Sequence, residues 1–158
     1  MKTISLFLML CALAGCAAKA EVKKEQQQLL FILHATHGYY ANGKLTLTNI
    51  SPAVSYFSDR PFRRAGTMEM AHFLDAWTTD KRESNFTTNP PNAGLVFFEE
   101  QGKKYSEISL ELMSPEYDEN KGVLIFDVRF LDNKELPNNK QMDEVSVFVD
   151  TASMESTT

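Results

Sequence analysis

LLFILHATHGYYANGKLTLTNI, residues 29–50, sets two apolar runs on either side of Asn42-Gly43. Asn-Gly suits the two-residue turn of a β-hairpin, where both central residues take positive φ. The second run alternates, with Leu45 and Leu47 on one face and Thr46, Thr48 and Ile50 on the other. The first run, Leu29–Ala41, pairs with it as a strand, but Leu30, Leu33 and His34 also fit a helical face. The choice matters for His34 and His37. A strand sends them to opposite faces, whereas a helix brings residues three apart together.

Toward the C-terminus, Pro52 bends the path and residues 54–58 form a short strand, with Tyr56 and Phe57 facing opposite ways. DRPFRRAG, residues 59–66, is a basic, turn-rich segment. Thr67 occupies an N-cap position, predicting a helix over 68–79 with Glu69 in its first turn. Met70, Phe73, Leu74 and Trp77 then share one face and should cover a sheet. A polar connection ends in Asn89-Pro90-Pro91-Asn92, and strand patterns return at 94–99, 104–113, 122–131 and 145–149. Within them Ile108, Leu110 and Leu112 share a face, as do Leu124, Phe126, Val128 and Phe130, with Ile125, Asp127 and Arg129 opposite. Residues 115–122 read as an acidic turn. Seven strands and one helix predict a mainly β domain over 29–151, an antiparallel β-sandwich or strongly curled sheet with one covering helix. Residues 152–158 read as a flexible tail.

Toward the N-terminus, residues 16–28 are small, charged or amide-bearing and read as a tether. Ahead of them, Lys2 precedes ISLFLMLCALA, residues 4–14, which is apolar except for Ser5. This run is about half the length of a bilayer-spanning helix. Charged only at its start and closing on small residues, it reads as an export signal over 1–15. Its end, Leu13-Ala14-Gly15-Cys16, resembles the lipobox of bacterial lipoprotein precursors. The resemblance implies cleavage between Gly15 and Cys16, a diacylglycerol on the Cys16 thiol and acylation of the new amino terminus. The implied partner is the lipid bilayer. Ala17 and Ala18 stand where inner-membrane lipoproteins typically carry an aspartate, so the implied destination is the outer membrane, facing the periplasm.

Of the 158 residues 43% are hydrophobic, with eleven Phe, five Tyr and one Trp, enough for a core and against disorder throughout. Cys11 and Cys16 are the only thiols, so residues 29–151 hold neither a disulfide framework nor a redox centre. Removing 1–15 takes only Lys2 from the charge count, leaving 15 basic and 21 acidic side chains and a formal charge of −6. That balance argues against nucleic acid as a partner.

YFSDRP (56–61), FLDAW (73–77), NPPNA (89–93) and DVR (127–129) resemble segments of a group of uncharacterised exported bacterial proteins. The likeness implies a shared fold and carries no activity with it. Phe62-Arg63-Arg64 makes the patch after YFSDRP more basic than the likeness requires. Asp59, Arg60, Arg63 and Arg64 form a candidate anion or partner site, because guanidinium groups match bidentate acceptors; a turn pinned by an Asp59–Arg60 salt bridge is the plainer reading. His34, His37 and His72 are weak metal candidates without an H-x-x-x-H or H-E-x-x-H pattern. Glu116, Asp118 and Glu119 do not match a calcium loop. Tyr39, Tyr40, Tyr56, Phe57 and Trp77 are candidate groove residues, with core packing the simpler role. No nucleophile elbow or phosphate loop occurs, and no cofactor is implied. Two functions follow: a non-enzymatic lipoprotein that binds an envelope protein or small anionic ligand or supports the envelope, and a hydrolase or anion-handling enzyme using His34, His37, Asp59 and Arg60. They separate on whether those four side chains converge.

Overall fold

The computed structural model describes residues 28–78, 85–99 and 104–151. The signal 1–15, Cys16, the tether up to residue 27 and the tail 152–158 lie outside the described residues. The strands are β1 (Leu29–Ala41), β2 (Lys44–Ile50), β3 (Ala53–Ser58), β4 (Ala65–Glu69), β5 (Asn92–Glu99), β6 (Lys104–Asp118), β7 (Val123–Phe130) and β8 (Lys140–Thr151); the helix α1 is Met70–Thr78.

Leu29–Ala41 is a strand throughout, and Asn42 and Gly43 both take positive φ, 51° and 78°, in the expected hairpin turn. All pairings are antiparallel. Six strands run β1-β2-β7-β6-β5-β8 and back to β1, so the sheet curls into a closed ring, with β3 and β4 added along the first half of β1. The strongly curled sheet is the alternative adopted.

β2 and β3 are two parts of one path along β1. Ile50 pairs with Ala35, Ser55 pairs with Ile32, and between them Ser51 N–H bonds to His34 O at 2.9 Å. Pro52 has no N–H to give the ladder, and its carbonyl instead accepts Met70 N–H at 2.8 Å at the start of α1.

The ring interior holds Leu33, Leu45, Leu47, Leu95, Phe97, Leu110, Leu112, Leu124, Phe126, Val145 and Val147, all buried. In β1, β2 and β8 the inward positions step by three residues at one level instead of two. Ala35 and Gly38, Leu47 and Ile50, and Met142 and Val145 all face inward, and these residues pair with one another across the three strands. Asn49 and Glu144 at this level have φ of 53° and 47°. The shared step overturns two expectations. Ile50 is buried with Leu45 and Leu47 rather than opposite them, and His34 and His37 are both exposed on the outer side.

α1 begins at Met70, not 68. Thr67, the expected N-cap, instead pairs with Ser55 in β4, because β4 completes the sheet beside β3 before the chain turns helical. Phe73 packs on Phe31 at 5.1 Å between centroids, and Trp77 reaches Phe126 at 5.8 Å, so the expected apolar stripe covers the sheet. β6 runs on to Asp118 across a bulge at Met113–Glu116, converting half of the expected acidic turn to strand. β8 begins at Lys140, with Lys140 and Gln141 pairing with Tyr40 and Tyr39. Among the described residues no helix is long and apolar enough to cross a membrane.

Candidate functional site

The residues of the hydrolytic alternative are not assembled. His37 Nδ1 lies 3.0 Å from Asp143 Oδ1, while His34 faces Ser146 Oγ at 3.4 Å and Glu144 Oε2 at 3.7 Å, all on the outside of the β1–β8 ladder. Asp59 and Arg60 follow β3, whose last residue Ser58 pairs with Leu29. At ~3.3 Å per residue, His34 is about 16 Å along β1 from that corner and His37 about 26 Å. The two histidines engage separate partners, His37 with Asp143 and His34 with Ser146 and Glu144, and do not meet each other. His72, on α1, pairs with Asp75 at 3.6 Å. Among the described residues no group of three or more His, Cys, Asp or Glu side chains is placed to hold a metal ion.

The basic turn is pinned through the backbone rather than by a side-chain salt bridge. Asp59 Oδ1 accepts Arg60 N–H at 2.6 Å and Asp59 O accepts Arg63 N–H at 3.1 Å. Ser58 Oγ accepts Arg64 N–H at 2.7 Å. Asp59 is thereby occupied as a turn former, a common task for aspartate. Arg60, Arg63 and Arg64 are exposed, and among the described residues their side chains enter no ion pair.

The DVR segment is likewise structural. Asp127 pairs with Lys44 across β2–β7 at 2.9 Å, and Arg129 pairs with Glu111 across β6–β7. These outward pairs fix register on a face whose inward neighbour is Phe126.

The FLDAW and NPPNA segments meet at a cleft. Ala76 O accepts Phe86 N–H at 3.1 Å and Trp77 O accepts the Thr87 hydroxyl, so carbonyls at the end of α1 are capped by the following turn. Asn85 holds that turn: its Oδ1 accepts Thr88 N–H at 2.9 Å and its carbonyl accepts Asn89 N–H at 3.0 Å. Pro91 O then accepts Leu112 N–H at 3.1 Å, tying the approach to β5 onto β6. Between these segments and the β6 bulge lies a cleft of about 350 Å³ lined by Trp77, Thr78, Phe86, Thr87, Pro90, Met113, Ser114 and Pro115. The lining is mostly apolar. Trp77 stacks edge-on against Phe86 at 4.7 Å, and among the described residues its buried indole N–H has no hydrogen-bond partner.

Comparison of the chain with models of protein families, with curated proteins and with solved structures found no match.

Of the other groove candidates, Tyr40 packs against Phe130 and Tyr56 against Phe31, while Tyr39 is exposed and donates to Asn139 Oδ1 at 2.6 Å. Phe57 lines a second cleft of about 310 Å³, with Gln28, Leu29, Leu30, Ser58, Asp59 and Asp150. Phe86, Met113 and Pro115 carry no site signal in the sequence, and Pro90 stands out there only as part of NPPNA. The signal available was a tryptophan at the helix end followed, a dozen residues on, by a double proline.

Proposed function

We propose that this chain is the precursor of a lipid-anchored, outer-membrane envelope protein facing the periplasm, whose barrel binds a small apolar molecule beside Trp77 and catalyses no reaction. The anchor is supported by Leu13-Ala14-Gly15-Cys16 after an apolar run, and the destination by Ala17 and Ala18. Several acyl chains on Cys16 give the firm attachment that a single chain does not.

The binding reading is carried by one observation, the mostly apolar cleft of about 350 Å³ that Trp77 lines together with Phe86, Pro90 and Met113. Its volume lies at the small end of the range of ligand sites, about 300–1,000 Å³, which favours a small molecule or one apolar side chain over a drug-sized ligand.

Trp77 is the only tryptophan, so its emission reports on the cleft alone. Protein produced without residues 1–16 and titrated with N-phenyl-1-naphthylamine should show saturable energy transfer from Trp77, lost in Met113→Lys. Transfer that never saturates, or that survives Met113→Lys unchanged, refutes cleft binding. For the anchor, Cys16→Ser should abolish labelling by a fatty-acid analogue and leave uncleaved precursor. Normal labelling of that variant refutes it.

A further inference from the structure

We infer that the β3–β4 turn, with Leu30 and Phe57 beside it, is a docking face for the anionic phospholipid bilayer to which the chain is anchored. The inference rests on the lipid anchor proposed above and adds to it a second, non-covalent contact with the same membrane.

Apolar side chains are exposed here in register. Leu30 and Phe57 pair directly across β1–β3 and are 38% and 47% exposed, and Phe62, in the turn itself, is 39% exposed. Arg60, Arg63 and Arg64 flank Phe62, all exposed and free of ion pairs among the described residues. Two acids are nearby, Asp59, which accepts the Arg60 N–H, and Asp150, which pairs with Leu30 from β8. The turn keeps a local excess of positive charge in a chain whose net charge is −5. Apolar side chains interleaved with arginines match the boundary between anionic headgroups and acyl chains, where guanidinium groups stay at the phosphates while rings enter the apolar layer.

The position of the tether selects this occupant. Leu29, the first residue of β1, pairs with Ser58, the last residue before the basic turn. The chain leading back to Cys16 therefore joins the barrel at the same end as Phe62 and the arginines. The twelve residues 16–27 span at most ~40 Å when fully extended. A face at the foot of so short a tether meets the bilayer far more often than any soluble partner, because the anchor sets a high local concentration.

The test uses the processed protein carrying Ala65→Cys, an exposed position in β4 opposite Phe57, labelled with the polarity-sensitive dye NBD. It is reconstituted into vesicles of phosphatidylcholine alone or with phosphatidylglycerol. Docking predicts a blue shift and quenching by brominated lipid only where phosphatidylglycerol is present. The shift should weaken about fivefold in apparent affinity for each of Arg60→Gln, Arg63→Gln and Arg64→Gln. The corresponding lysine variants should retain most of it, and circular dichroism should match for all variants. Vesicle flotation with a water-like emission overturns docking while leaving the anchor intact. Equal shifts on both vesicle types overturn the anionic-lipid assignment, and a shift that grows with protein concentration without vesicles assigns the face to a second copy. Absence of an acyl group on Cys16, read by mass on the same preparation, instead removes the anchor. The emission shift on added vesicles then still decides whether the face binds lipid.

Discussion

Lys140 Nζ stands 2.9 Å from Glu99 Oε2, joining β8 to β5, while Ser106 Oγ of β6 donates to the other carboxylate oxygen at 2.6 Å. Both charged side chains are less than a quarter exposed. The Ser106 hydrogen bond, and after it that from Lys140, hold the Glu99 carboxyl below the usual range. A carboxylate lowered on folding stabilises the native state above its unfolded value, about 4.3, and that contribution is lost as pH falls through the lower folded value. Urea unfolding between about pH 5 and pH 3 should therefore show a steeper loss of stability in the wild type than in Glu99→Gln. Parallel curves would refute the assignment.

Gly38 lies on the inward side of β1 where the facing step occurs. A Cβ there would fall 2.9 Å from Val145 Cγ2 and 3.1 Å from Met142 Cε. Gly38→Ala should therefore cost about 1–3 kcal/mol by overpacking. Adding Val145→Ala should recover part of the loss if the clash is its cause. Denaturant midpoints of the single and double variants measure this.

Trp77→Phe should cost less than truncating its neighbour Phe73. Trp77→Phe removes part of the ring system but keeps an aromatic ring against Phe73, Phe86 and Phe126, and among the described residues the indole nitrogen has no hydrogen bond to lose. Phe73→Ala, by contrast, should cost about 3–5 kcal/mol. Circular dichroism during urea unfolding ranks the two. A Trp77→Phe loss as large as that of Phe73→Ala would contradict this ranking.

At Gly43 the positive φ of 78° makes any side chain unfavourable although nothing lies within 4 Å of a Cβ. Gly43→Ala should therefore lose about 1 kcal/mol through backbone strain alone. Gly43→Asn should lose less, since asparagine tolerates the left-handed region. Equal losses from both, in thermal or urea unfolding, would contradict this origin.

Much of the fold could be read from local pattern. Asn42-Gly43 announced its hairpin, and the alternation around Leu110 and Phe126 announced buried faces. What escaped was non-local. The facing step shared by β1, β2 and β8 exists only because Ala35, Ile50 and Val145 meet across the sheet, so no single strand revealed that Ile50 turns in and His37 turns out. β4 escaped because Gly66-Thr67-Met68-Glu69 reads locally as the lead into a helix, and only pairing with β3 makes it a strand. The cleft escaped because Trp77, Pro90 and Met113 come from three separate segments. The basic turn was visible as a motif, but its place beside Leu29 was not.

The closed ring also imposes an order in time. β1 at one end of the described chain makes its longest pairing with β8 at the other, from Leu29 with Thr151 to Tyr40 with Lys140. As the chain emerges N-terminus first, β1 can find β2 and β3 early, but its other edge stays without a partner until β8 arrives. Such a distant seam makes closure a late and comparatively slow event. A chain arrested before residue 140 would carry an open β1 edge, the kind of template on which β proteins aggregate.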